Sequence, residues 1–397
     1  MFQKVEAAPP DAILGITEAF LADTNPDKIN LSVGQYKDAH GKTPVLRCVK
    51  AAEQRLLTEE NTKAYLPIDG RQDYDRQVPS LLWGSDSLAT SNRVASVQTP
   101  GGTAALRVAA DFVQSAFPSA TVWCSTPTWA NHASIFHAAG LKVQYYPYFR
   151  AESNGLDFGA MIGSLHNVPA GDAVLLHVCC HNPTGIDPTA EQWSEIAAAA
   201  REKQWLPILD FAYQGFGVGL EEDALGLRAI SSACDELLVC SSFSKNFGLY
   251  RERVGALTAL TGDATTTKSV LSRIKKCIRS NYSNPPSHGA AIVATVLSDP
   301  GFTKDWHAEL AEMRDRINGM RSSFVAGMAK ANAPRDFSFI GQQRGMFSFS
   351  GLTPQQVDQL RDRFAIYVVR DGRINVAGMT DETMGYLCDS LVSVLEG

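Results

Sequence analysis

Residues 236–260, ELLVCSSFSKNFGLYRERVGALTAL, set two short apolar runs on either side of a polar turn that carries one lysine, Lys245. Neither run alternates apolar with polar positions. A strand that is apolar on both faces belongs in the interior of a sheet covered on both sides, which is the pattern of parallel α/β sheets. The same kind of run recurs upstream as TVWC at 121, KVQYY at 142, AVLLHVCC at 173 and LPILD at 206. Helical spacing of apolar residues falls between and before them, in VLRCVKAAEQRLL at 45–57, GGTAALRVAADFVQSAF at 101–117 and TAEQWSEIAAAAREK at 189–203. Strands alternating with helices predict an α/β domain with a mostly parallel sheet over residues 41–300.

The texture changes at Pro300. Residues 300–331 read as one long helix, followed by the shorter pieces MFSFSG, TPQQVDQLRDRFA and RINVAG. This predicts a second, smaller α+β domain over 301–397. Residues 1–40 are read as an N-terminal arm together with a part of that smaller domain.

Composition narrows the class of function. The chain has 397 residues, 45% hydrophobic and 20% charged, enough for two domains with a sizeable core. The net charge of −6 comes without a long basic run, so no nucleic-acid partner is expected. No stretch of about 18 consecutive apolar residues occurs, and the start lacks a basic segment followed by an apolar one, so no membrane partner and a cytoplasmic location are expected. Eight cysteines without C-x-x-C spacing suit neither a zinc knuckle nor a disulfide framework, so reduced and mostly buried thiols are expected and no metal.

Ligands of open α/β sheets gather beyond the carboxyl ends of the strands. Five such places carry chemistry. TPGGTAAL sets Gly101, Gly102 and Thr103 at a helix start, where unpaired N–H groups favour a phosphate, although a glycine before a helix is also simply a turn. CCHNPTG brings His181 and Asn182 off a buried run, as an ordinary turn would. ILDFAYQGF ends a run on Asp210, with Tyr213 just beyond; a helix cap explains the aspartate equally well. STPTWANH places Trp129 and His132 on a loop, and a tryptophan there is by default core. The opening stretch adds Ser242, Ser244, Lys245 and Arg253.

Together the five places suit one ligand. Gly102, Thr103, Ser242, Ser244 and Arg253 suit a phosphate, and Trp129 a stacked aromatic ring. Asp210 suits a ring nitrogen that must stay protonated, and Asn182 and Tyr213 suit a phenolate oxygen. Lys245 suits an aldehyde. These are the requirements of pyridoxal 5'-phosphate.

The chain resembles the class I, fold-type I aminotransferases, and within them the aspartate and aromatic amino-acid aminotransferase family. The resemblance runs end to end through LSVGQYKD, PGGTAALRVAADF, PTWANH, CCHNPTGIDPT, DFAYQGF, SSFSKNFGLYRERVG, NYSNPPSHGA, GMFSFSGL and GRINVAGM, in the family's order. It implies a large domain with a mostly parallel seven-stranded sheet flanked by helices, beside a smaller α+β domain. By the same resemblance Lys245 bonds the cofactor aldehyde, Asp210 faces the pyridinium nitrogen, Tyr213 and Asn182 hold O3', Trp129 stacks on the ring and His132 supports Asp210. Gly102, Thr103, Ser242, Ser244 and Arg253 are implied for the phosphate. Tyr65 is implied to reach the phosphate of a neighbouring subunit, which makes the protein a homodimer with shared sites.

For the substrate, the resemblance implies Arg373 at the α-carboxylate and Arg279, lent across the dimer, at a side-chain carboxylate. Gly34 leaves room for the substrate; Trp129 and Asn182 also line its place. The implied reaction is ping-pong transamination of L-aspartate with 2-oxoglutarate, its partners being amino acids and 2-oxo acids. Lys37, Thr43, Thr103 and Asn284 look like the aspartate branch. Gln35, Ala64 and Pro67 depart from it, which keeps tyrosine and phenylalanine, or dual specificity, as the alternative. A lyase or decarboxylase would not need two carboxylate-binding arginines, and a non-catalytic binder would not need Lys245, Asp210, Tyr213 and Arg373 together. Pro9 and Pro10 resemble the start of an arm that crosses to the other subunit.

Overall fold

The computed structural model describes residues 1–7, 14–84 and 87–396; Pro9 and Pro10 lie outside them. Two compact units emerge, one of residues 44–315 and one of residues 1–43 with 316–397. The sequence reading sets its boundary at Pro300, where the helix Pro300–Lys330 begins; the division falls within that helix.

The larger unit is built on a seven-stranded sheet. In chain order its strands are β1 (Val94–Thr99), β2 (Thr121–Thr126), β3 (Lys142–Pro147), β4 (Ala173–His177), β5 (Leu206–Phe211), β6 (Leu237–Ser242) and β7 (Gly255–Leu260). Their spatial order is β1-β7-β6-β5-β4-β2-β3. All neighbours are parallel except β7, which runs antiparallel to both β1 and β6. Every residue of β4, β6 and β7 is buried, as their unbroken apolar runs require. The edge strand β3 is mostly exposed, with Tyr146 turned inward to donate its hydroxyl to Leu175 O at 2.8 Å.

Strand β1 is the one the apolar runs do not announce. Its sequence, VASVQT, mixes in Ser96, Gln98 and Thr99: Ser96 Oγ bonds Thr258 Oγ1 of the neighbouring β7 at 2.6 Å, while the free side of an edge strand lets Gln98 find partners outside the sheet. Helix Gly102–Ala116 follows it and buries Leu106, Val108, Ala109, Phe112 and Val113 in the main core. Each large aliphatic side chain taken out of water there contributes about 1.5–3 kcal/mol.

In the smaller unit Ile29–Asn30 pairs in parallel with Ile366–Tyr367, and Phe347–Phe349 pairs antiparallel with Arg373–Asn375. Helix Pro354–Phe364 has the Thr353/Gln356 capping box that the sequence TPQQ encodes. The eight cysteines are free thiols, all buried except the half-buried Cys234. Among the described residues no helix is long and apolar enough to cross a membrane.

Candidate active site

Because β1, β2, β4, β5 and β6 point the same way, the five sequence stretches all leave the sheet at one edge. The reversed strand β7 begins at that edge, so Arg253 arrives there from the opposite direction. The approach is tight: a side-chain carbon on Gly255 would lie 2.5 Å from Gly101 C and 2.7 Å from Ser241 O. Gly101 itself adopts φ +83° and would place a side-chain carbon 2.5 Å from Arg253 Nη2, so only glycine allows this turn to close on the guanidinium.

The result is a cradle of donors. Gly101 caps helix Gly102–Ala116 without a side-chain bond, leaving its first N–H groups and the positive end of its dipole uncovered. Ser242 Oγ donates to Ser244 Oγ at 3.2 Å, and Arg253 Nη1 donates to Ser244 Oγ at 3.3 Å and to Tyr250 O at 3.1 Å. Among the described residues no carboxylate pairs with Arg253. Hydroxyls, a helix start and a cation without an anion are what a phosphate group needs.

Asp210, in β5, is 7% exposed and accepts from His132 Nε2 at 3.0 Å; the other ring nitrogen, Nδ1, lies 2.8 Å from Thr128 Oγ1. With Nε2 protonated, Thr128 donates to Nδ1, and the histidine is fixed in one tautomer. Burial by itself would raise the Asp210 carboxyl, but the His132 hydrogen bond, helped by the Lys245 ammonium, outweighs it and holds it below the ordinary carboxylate range. The edge therefore presents a buried, ionised carboxylate, which suits a protonated ring nitrogen.

Lys245 follows β6, with Nζ 5.0 Å from the centre of the Tyr213 ring. Burial lowers its ammonium to about 8; the Asp210 charge opposes that shift and Arg253 adds to it. Asn182 Nδ2 donates to Tyr213 Oη at a long 3.5 Å. The half-buried Trp129 meets His132 edge-on, with ring centres 5.2 Å apart. An amine brought near neutrality, a carboxylate, a phosphate cradle and an aromatic face thus share one strand edge, and the residues fit pyridoxal 5'-phosphate.

The family profile described as aminotransferase class I and II matches residues 26–391. The chain belongs to this aminotransferase family. It is 55% identical over 396 residues to the aspartate aminotransferase of Salmonella typhi, covering all of both chains. It is 45% identical to the aromatic-amino-acid aminotransferase of Pseudomonas aeruginosa, over 99% of this chain and 98% of the relative. The crystal structure of an aromatic-amino-acid aminotransferase from Burkholderia pseudomallei, covalently bound to pyridoxal phosphate, superposes with a TM-score of 0.97 at 47% identity, covering 100% of this chain and 99% of that one.

The other sequence-selected residues of the aminotransferase lie on further elements of the two units. Tyr65 is 93% exposed. Arg279, near the end of helix Ala264–Asn281, is exposed, and its guanidinium donates to the Ser283 hydroxyl. Gly34 and Arg373 belong to the smaller unit. There Arg373 is buried, donates from Nη2 to Ser32 O at 2.9 Å, and lies 4.3 Å above the Phe347 ring centre.

Two residues of the aminotransferase site escape a reading by motif. His177 pairs with Asp210 in the β4–β5 register, yet its ring nitrogens have no hydrogen-bond partner among the described residues. Burial pushes its imidazolium down to about 3, so it is neutral. Asn246, beside Lys245, donates from Nδ2 to Gln214 O at 3.3 Å, while its own O accepts from Trp306 Nε1 at 2.8 Å. A polar residue interrupting an apolar run was the available signal for His177; Asn246 left none.

Proposed function

We propose that the enzyme transfers the amino group of L-aspartate to 2-oxoglutarate by a ping-pong mechanism, as a cytoplasmic homodimer whose two sites are each completed by the other subunit. The observation that carries this reading is the single strand edge joining Lys245, the His132-supported Asp210 carboxylate and the Arg253 cradle. Pyridoxal 5'-phosphate, when bound, supplies an electron sink for the charge left on the substrate when its Cα–H bond breaks. Arg253, Ser242, Ser244 and the N–H groups of Gly102 and Thr103 hold its phosphate, joined by Tyr65 of a second subunit. Asp210 keeps the ring nitrogen protonated, His132 keeps Asp210 ionised and oriented, Asn182 and Tyr213 hold the phenolate oxygen, and Trp129 covers the ring face.

Lys245 has two tasks. Its amine would hold the cofactor through the aldehyde, and as a free base it would accept the proton from the substrate Cα. Arg373 binds the α-carboxylate through its planar fork, and Arg279 of the other subunit selects a second carboxylate. Single-turnover absorbance spectroscopy with aspartate, glutamate, phenylalanine and tyrosine tests the assignment. Aspartate and glutamate are expected to react at least about a hundredfold faster than the aromatics, since an unpaired buried charge discriminates strongly. Comparable rates would replace this reading by dual specificity.

Gly34 provides a second test. A side-chain carbon there would stand 2.7 Å from Phe347 Cζ, the ring on which Arg373 rests. Gly34→Ala is expected to push that ring and the guanidinium aside, raising KM for amino acids and 2-oxo acids alike by about tenfold, or about 1.4 kcal/mol of carboxylate binding. Unchanged KM values in steady-state kinetics would separate Gly34 from Arg373.

A further inference from the structure

Gln98 lies in β1, just before the turn of the phosphate cradle, and is 1% exposed. Its four polar groups all leave the sheet. Its backbone N–H donates to Asp69 O at 2.8 Å, and its side-chain Oε1 accepts from Arg71 N at 3.3 Å. Its Nε2 donates to Pro286 O at 2.5 Å, and its backbone O accepts from Tyr282 Oη at 3.4 Å. Two bonds therefore go to the segment that follows Tyr65, and two to the segment that follows Arg279.

The two segments are also tied to each other. Asn284 Nδ2 donates to Leu66 O at 2.9 Å, and Lys275 Nζ, one helical turn before Arg279, pairs with Asp69 Oδ2 at 2.9 Å. Gly70, at φ +109°, lets the first segment pass so close that a side-chain carbon on it would lie 2.4 Å from Gln98 Cβ. A buried amide whose donor and acceptor each reach a different segment fixes the distance between them, and it is costly to replace because each lost bond leaves a backbone group unpaired.

We propose that Gln98 is a positioning residue for the neighbouring active site. It fixes Tyr65 and Arg279 against the strand that carries this subunit's own phosphate turn, and so links the site a subunit owns to the residues it lends. The proposal rests on the reading that Tyr65 and Arg279 act across a dimer. It differs from an ordinary satisfied core glutamine in one respect: its loss is felt in the partner's site and not in its own.

Mixed dimers of two differently tagged, co-expressed chains test this. When one chain carries Lys245→Ala, only the site on the other chain works. Gln98→Leu placed on the Lys245→Ala chain is expected to raise KM for aspartate about tenfold at the working site, because small misplacements of a binding group are costly. Placed on the chain that owns the working site, it is expected to leave KM within about twofold by the same reasoning. Arg279→Ala in the same two placements is the control. If it fails to act from the Lys245→Ala chain, the shared-site reading falls and the Gln98 role with it. If it acts from there while Gln98→Leu acts equally from both chains, or from neither, the Gln98 role alone is overturned.

Two further measurements exclude simple misfolding. Hydrogen exchange of the cofactor-free Gln98→Leu protein is expected to quicken in peptides covering 61–75 and 279–287; a uniform rise along the chain would overturn the proposal. Gln98→Glu keeps the acceptor for Arg71 N–H and loses the donor to Pro286, so it is expected to raise KM for aspartate while cofactor retention stays near the parent value. Equal loss of both would also count against it.

Discussion

Replacing Lys245 by alanine is expected to lower the single-turnover rate with aspartate by roughly four orders of magnitude or more, since it removes both an activated amine and the general base at Cα. The fold should survive. Nζ sits 5.0 Å from the Tyr213 ring centre, and burial has already brought the amine to about 8, so its charge in the cofactor-free protein opposes folding. Between about 8 and 10.5 the unfolded chain binds the proton that the folded chain has released. Stability of the cofactor-free protein therefore rises with pH through that window. The alanine variant should lose this slope, which thermal melts at several pH values would measure. Uptake of pyridoxal 5'-phosphate by the parent protein should quicken as pH approaches 8, as the neutral fraction of the amine grows. A Lys245→Ala enzyme that keeps even a hundredth of the parent rate would remove Lys245 from both tasks.

Asp210→Asn is the second substitution expected to be severe. It preserves shape but removes the buried negative charge that His132 holds in place across 3.0 Å. Removing one preorganised electrostatic partner of a transition state typically costs about 10²–10³ in kcat, near 3–4 kcal/mol. The cradle of Gly102, Ser242, Ser244 and Arg253 does not involve Asp210, so the cofactor should remain bound. The informative result is a large fall in kcat with little change in KM for either substrate. A fall within tenfold would mean that the ring nitrogen is kept protonated by something other than Asp210.

Sequence and structure agree most closely where burial is two-sided. The six apolar runs all became strands of the sheet; in the interior ones burial on both faces leaves no room for polar positions, while KVQYY became the exposed edge strand β3. Strand β1 was not legible, because its polar positions are satisfied only in the fold: Ser96 by Thr258 of the neighbouring β7, and Gln98, at the edge, by groups beyond the sheet. The reversal of β7 was not legible either. An apolar run carries no mark of direction, and direction is what brings Arg253 back to the glycine turn. The site was legible as separate strand ends because the chemistry of each stands next to an apolar run. What joins them was not: His177 meets Asp210 through register, and the Phe347 ring above which Arg373 rests is distant in sequence from Gly34, whose missing side chain leaves it space.

The reversed strand has a consequence for how the protein matures. The cradle draws on Gly101–Thr103, Ser242–Ser244 and Arg253, which come together only when β1, β7 and β6 have all zipped into register. The cofactor is therefore a ligand of the folded sheet. Free cofactor at about a hundred times its dissociation constant would then add roughly 2.7 kcal/mol to the apparent stability of the native state. Cofactor binding and completion of the sheet would then be read out together as one shift in thermal stability.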